Sequence, residues 1–171
     1  NNDVEKVQAI LEMVQLLETK LEERCCESEW VVYEGIADCS DVITKIVQNV
    51  VHQQDRTVAE AVYQSLLNAF HKDLISGENV AFPPLLCLCA LPEYRKKTEE
   101  WLQYRQAVST EYEKRELEEQ QFQLLKQYGT PQEQQDFINR HLSNPEYRRM
   151  AIQNAIDTGD ESTVERLALD G

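Results

Sequence analysis

The sequence predicts an all-α fold of about eight helices, mostly antiparallel hairpins stacked as a short solenoid-like or bundle array. Three observations predict it. Apolar residues recur at helical spacing through most of the chain. Only 5 Gly and 5 Pro interrupt 171 residues, so long helices fit throughout. The turn residues near position 129 recur thirty residues later, a spacing suited to repeated helical hairpins.

The first helix is expected from Asp3 to about Glu23, with Val4, Val7, Ile10, Leu11, Val14, Leu17 and Leu21 as its apolar stripe. Trp30-Val31-Val32-Tyr33 has strand composition but no partner strand, and reads as the start of a helix capped by Ser28 with Trp30 packed inward. Gly35 marks a turn or an interruption, after which Asp38 or Ser40 caps a helix running to about Gln53. Val42, Ile43, Ile46, Val47, Val50 and Val51 keep helical spacing there despite β-branching. Thr57 and Glu60 form a capping box for the next helix, closed at Ser76-Gly77-Glu78-Asn79.

Val80 to Leu91 is the most apolar stretch, and Pro83-Pro84 let a helix begin there but not pass through. A short buried helix is expected, serving as hinge or core plug between two halves. A charged helix follows from Glu93 to about Val108, with Tyr94, Trp101, Leu102 and Val108 packed. It either restarts at the Thr110–Glu113 capping box or runs unbroken to Gln127.

Thr130-Pro131-Gln132-Glu133 is a strong helix start, with a capping box and proline at the first helical position. Asn144 and Pro145 open another helix, Gly159 closes it in a left-handed conformation, and Asp160 caps the last one. In the thirty-residue alignment Gly129 corresponds to Gly159, Thr130 to Asp160, and Phe137 to Leu167. A single all-helical domain, 1–171, is expected, with N-terminal helices in 1–79, an apolar hinge at 80–92 and hairpins in 93–171. The chain starts without Met and ends where a helix is closing, so it is expected to be a fragment of a longer protein.

Acidic residues outnumber basic ones 31 to 17, for a net charge of −14 spread evenly along the chain. That field repels phosphate backbones and anionic lipid, which weighs against direct nucleic-acid or membrane binding. No apolar run reaches the roughly 18 residues of a membrane span. The five cysteines, Cys25, Cys26, Cys39, Cys87 and Cys89, are an odd count in a long helical chain, the pattern of a reducing compartment such as the cytoplasm. They lack the paired spacing of a zinc site, even with His52, His71 and His141 as further ligands, and read as buried thiols. No nucleophile elbow, metalloprotease helix or Gly-rich phosphate loop occurs, so no enzymatic activity, cofactor or metal is expected.

The candidate partner-binding residues are Trp101, Tyr104 and Arg105, grouped with Tyr112, and Arg148 and Arg149 in the C-terminal hairpin. Trp, Tyr and Arg are favoured at interfaces, whereas the plain alternative has Trp101 in the core under Tyr104 and Arg105. Arg140, Arg148, Arg149 and Arg166 can meet an acidic partner or neutralise Glu146, Glu161 and Glu165.

The helix pair CSDVITKIVQNVV and TVAEAVYQSLLNAF, with the late YRRMAIQNAIDTGDESTVERLALDG, resembles the helical tail of bacterial SWIM zinc-finger-containing proteins of uncharacterised function. The resemblance covers about two-thirds of the chain and rests on helical pattern. It implies an all-α, repeat-like scaffold or partner-binding region. The family's C-x-C followed by C-x-H is not matched, because Cys87-x-Cys89 has no C-x-H after it, so no metal ligand carries over.

The function expected is a cytoplasmic scaffold or protein-interaction module that binds a protein or peptide segment between successive hairpins. The alternative is a non-catalytic accessory domain that positions a metal-binding or enzymatic domain of a larger protein. A helical enzyme built on clustered carboxylates and histidines ranks third. A truncated array also predicts self-association through an apolar face beside Val164 and Leu167.

Overall fold

A computed structural model describes residues 2–22, 29–76 and 80–169, with side chains described for 2–19, 34–72 and 80–169. The expectations for Cys25-Cys26, the Ser28 cap, Trp30 and the Ser76–Asn79 helix end lie outside the described side chains. Among the described residues there are nine helices and no strand. They are α1 (Asn2–Glu22), α2 (Glu29–Gln53), α3 (Arg56–Ser76), α4 (Phe82–Leu88), α5 (Pro92–Val108), α6 (Glu111–Tyr128), α7 (Pro131–Arg140), α8 (Pro145–Thr158) and α9 (Glu161–Leu169). The chain divides into two compact units, Asn1–Glu118 and Glu119–Gly171.

In the first unit, α1, α2 and α3 pack on one another, and α4 packs on α2 and α3. One cluster joins Val14 of α1, Ile36 and Cys39 of α2, and Val80, with Ile10 against it. The interruption expected at Gly35 does not occur, because α2 runs through it. A mid-helix glycine costs only about 1 kcal/mol relative to alanine. Burial of Ile36, Ile43, Val47 and Val50 on the same helix outweighs that. The cap of α3 also differs from the Thr57–Glu60 box. Asp55 Oδ1 accepts from the backbone N–H groups of Thr57 and Val58, at 3.0 and 3.2 Å. Glu60 instead meets Lys97 of α5, at 2.7 Å.

Most of the apolar stretch from Val80 to Cys89 packs into the core of this unit, while Pro83, Ala90 and Pro92 are exposed. Ala81, Phe82, Leu85 and Leu88 are fully buried, and the unit boundary falls elsewhere, within α6. The α4 helix has no side-chain cap, yet two of its first three residues are prolines. Fewer backbone donors therefore need partners at that buried helix start. Ser40 Oγ donates to the Val80 carbonyl at 2.9 Å, tying α2 to the entry of α4. At Ser109 the backbone turns extended and α5 ends. Thr110 then restarts the chain as α6, its N–H donating to Glu113 Oε2 at 2.8 Å.

In the second unit Phe122, Phe137, Ile138, Tyr147, Ala151 and Leu167 form one core, with Leu125, Leu142 and Ile152 packed against it. The Thr130–Glu133 capping box is present, and Asn144 caps α8. Gly159 closes α8 at φ +72°, and Asp160 Oδ1 accepts from the Thr163 N–H at 3.1 Å. Thr130 and Asp160 thus play matching roles, but the glycines before them do not. Gly159 is the only glycine at positive φ among the described residues. At Gly129, by contrast, a Cβ would lie 2.7 Å from the Leu125 carbonyl oxygen.

The two glycines therefore predict different chemistries of damage. A Cβ at Gly159 meets nothing within 4 Å, so Gly159→Ala is expected to lose only the left-handed backbone penalty, about 1–2 kcal/mol. Asn, which tolerates that conformation, should recover part of the loss, as thermal melts of the three proteins would register. Equal stability of Gly159→Ala and the parent would refute the cap.

Several carboxylates, partly buried or exposed, are held below their ordinary range. Glu60 is lowered from 4.5 by hydrogen bonds from Lys97 and Gln64. Thr110 lowers Glu113 through its backbone and side-chain donors, and Thr163 and Ser162 lower Asp160 from 3.8. A carboxylate depressed in the folded state stabilises the fold above its unfolded pKa, and that contribution is lost as pH falls through the folded value. Melting temperature is therefore expected to stay level from pH 7 to about 5 and to drop below about 4.5. Circular-dichroism melts across that range would check it, and a midpoint unchanged at pH 3 would contradict it.

Candidate peptide groove

Two concavities stand out, one in each unit. The first, about 410 Å³, is lined by Gln54, Arg56, Ala59, Leu91, Pro92 and Glu93. Its charged members, Arg56 and Glu93, are exposed and solvated. The second, about 540 Å³, lies along α7, α8 and α9. Both fall within the few-hundred to thousand Å³ span of ligand sites, so lining chemistry decides between them.

The floor of the second groove includes Ala151 and Ala155, both buried. Small side chains there leave the groove open where α8 runs beneath it. Gln135 and Asn139 are one turn apart on α7, so both amides reach the same side. Asn154 faces them from α8. Its Nδ2 donates to Gln135 Oε1 at 2.7 Å, and Gln135 Nε2 donates to Asn139 Oδ1 at 3.1 Å. Leu142, Thr158 and Thr163 complete the wall, and Asp160 and Arg166 supply charge from the α9 side. Both Asp160 oxygens are engaged, Oδ1 by the Thr163 N–H and Ser162 Oγ, and Oδ2 by Thr163 Oγ1 at 2.6 Å. Arg166 is exposed, and its positive charge acts on Asp160, helping to hold that carboxyl below its ordinary range.

The residues singled out in sequence fall elsewhere. Trp101 is half-buried with its ring 5.3 Å from that of Phe70, and the Arg105 guanidinium lies 5.9 Å from its centroid. Arg105 Nη2 also pairs with Glu113 Oε1 at 3.2 Å, so it is committed to holding α5 against α6. Tyr104 and Tyr112 are instead exposed, at 64% and 72%. Arg148 Nε donates to the Leu142 carbonyl at 3.1 Å, and Arg149 sits 3.8 Å from Glu146 at the surface. Arg148 thus holds the turn that carries Leu142 into the groove wall. Trp101, Tyr104 and Arg105 belong to the first unit, and Arg148 and Arg149 to the second.

Leu167, expected beside an exposed face, is buried in the second core, and Val164 is half-buried. Met150, Ile156 and Leu169 are the large apolar side chains exposed on α8 and α9, and Ala168 is exposed beside them. Among the thiols, Cys39 and Cys89 are buried and Cys87 is half-buried. Burial pushes Cys89 up to about 11 despite a contact with Thr98 Oγ1 at 3.4 Å, so its thiol stays protonated at neutral pH. No group of three or more His, Cys, Asp or Glu side chains arranged to hold a metal occurs among the described residues. No helix among them is long and apolar enough to cross a membrane.

Sequence reasoning passed over Gln135, Asn139 and Asn154 because isolated polar residues on helical faces look like solvated surface. The one available signal was the i, i+4 pair of amides on α7, and its partner on α8 lies 19 residues from Gln135. Compared with known protein families, curated proteins and solved structures, the chain matches none.

Proposed function

We propose that this chain is a non-catalytic protein-interaction module that takes a segment of a partner protein in the groove of α7, α8 and α9. The observation that carries this reading is the groove's lining, in which amide and hydroxyl side chains surround a floor of two alanines within one compact unit. Such a surface offers directional hydrogen bonds and close approach, the means by which a polar segment is recognised. Arg166 and Asp160 at the α9 side give the rim charge that discriminates among segments.

Selection of binders from a random displayed peptide library, followed by chemical-shift mapping on the labelled chain, tests it. The largest shifts are expected between residues 135 and 166. Failure to enrich any peptide, or shifts confined to residues 1–118, would remove the groove as the binding site.

A further inference from the structure

The joint between α5 and α6 breaks a helix where the sequence does not require a break. Val108, Ser109, Thr110 and Glu111 include neither glycine nor proline, and each can continue a helix. Ser109 nonetheless has extended backbone, at φ −88° and ψ 161°. One carboxylate holds the bend through three bonds. Glu113 Oε2 accepts from the N–H and the Oγ1 of Thr110, both at 2.8 Å, and Glu113 Oε1 accepts from Arg105 Nη2 at 3.2 Å. Gln106 Nε2 adds a bond to the Lys114 carbonyl, also at 3.2 Å. The bend has a cost as well. Arg105 Nε and Ser109 Oγ are buried there with no hydrogen-bond partner among the described residues.

We propose that this joint is a two-state latch within the first unit. With Glu113 engaged the chain bends at Ser109; with Glu113 released, α5 and the start of α6 join as one continuous helix. Residues eight apart lie about 12 Å apart along a helix axis, so the Arg105–Glu113 and Gln106–Lys114 bonds exist only in the bent form. The straight form gains the backbone bonds that the bend interrupts, from the N–H groups of Thr110, Glu111 and Tyr112 to the carbonyls of Gln106, Ala107 and Val108. It also sets Tyr104, Val108 and Tyr112 four residues apart on one helix face, as neighbouring apolar pairs. In the bent form these side chains are 64%, 58% and 72% exposed, so bending buries none of them. Leu117, fully buried on α6, weighs for the bend. Arg105 and Glu113 are each only 16% exposed, so losing the carboxylate leaves an unpaired charge in the bent form. The balance between the two forms therefore turns on Glu113.

The test is nuclear magnetic resonance on the whole chain, reading the Ser109 Cα shift and the hydrogen exchange of the Glu111 and Tyr112 amides. The parent is expected to show an extended Ser109 and fast exchange at both amides. Glu113→Ala should move the Ser109 shift to the helical side and slow both amides about tenfold or more. The double variant Ser109→Ala/Thr110→Ala removes the cap and supplies the best helix former, so both signals should move the same way. A tryptophan-fluorescence melt shows whether Glu113→Ala keeps the first unit folded, and the double variant decides the question where it does not. An extended Ser109 with fast exchange in the folded variants would overturn the latch. A coil shift at Ser109 with both amides still unprotected would overturn it too, as the mark of simple fraying.

Discussion

Phe137→Ala is expected to unfold the C-terminal unit under conditions where the N-terminal unit remains folded. Phe137 is 3% exposed and stands at the centre of the second core. Its ring is 5.5 Å from Phe122, 5.4 Å from Tyr147 and 4.0 Å from His141, whose Nδ1 donates to the Phe137 carbonyl. Truncating a buried phenylalanine costs about 3–5 kcal/mol. A unit of 53 residues has a total stability of roughly 3–8 kcal/mol at the usual value per residue. The loss is therefore most or all of what holds the unit. Both tryptophans, Trp30 and Trp101, lie in the first unit, so tryptophan fluorescence follows that unit while far-ultraviolet circular dichroism follows both. The expected result is a low-temperature loss of part of the dichroism with the fluorescence transition in place. Peptide binding in the groove should be lost with it, because α7 and α8 form its walls. A variant with parental melting in both signals would show that this aromatic cluster does not hold the unit.

Much of the second unit was legible because its signals are local. The Thr130–Glu133 box, the Asn144 cap, the Gly159 close and the Asp160 cap each span at most four residues, and each side chain does what its spacing implies. The errors arose where a distant residue competed. Glu60 has the spacing for a capping box with Thr57, but Lys97, 37 residues away, takes its carboxylate and Asp55 takes the cap. Gly35 was read as a break because glycine is a poor helix former, whereas the buried residues that follow it, from Ile36 and Cys39 to Val50, hold α2 in the core as one helix. The likeness of Gly129 to Gly159 hid two backbone conformations, since a sequence letter shows the absence of a Cβ and not the sign of φ. The groove was illegible for the same reason as the Glu60 contact. A chain of amides between α7 and α8 exists only once the helices are packed, and each amide alone is unremarkable surface. Trp101, Tyr104 and Arg105 are neighbours in sequence, yet packing turns Trp101 and Arg105 toward each other and leaves Tyr104 in solvent.

Phe82→Ala should weaken the N-terminal unit strongly without abolishing it. Phe82 is fully buried, its ring 5.1 Å from Phe70, which in turn lies 5.3 Å from Trp101. These three rings join α4 to α3 and α5. The same 3–5 kcal/mol applies, roughly, to loss of the side chain. A unit of 118 residues holds about 6–18 kcal/mol, so a folded population remains at room temperature. The contrast between the two substitutions follows from unit size, because a smaller unit buries a smaller share of its chain. Phe82→Leu keeps most of the volume and the apolar character, and should cost clearly less than alanine. Denaturant titration followed by tryptophan fluorescence would measure both, with the midpoint lowered and the slope retained if only stability changes. A solvated hinge at residues 80–92 would instead tolerate either change within about 0.5 kcal/mol, as surface positions do. The size of the Phe82→Ala effect therefore separates a core helix from a linker, and the packing of Ala81, Phe82, Leu85 and Leu88 with no exposed surface puts α4 in the core.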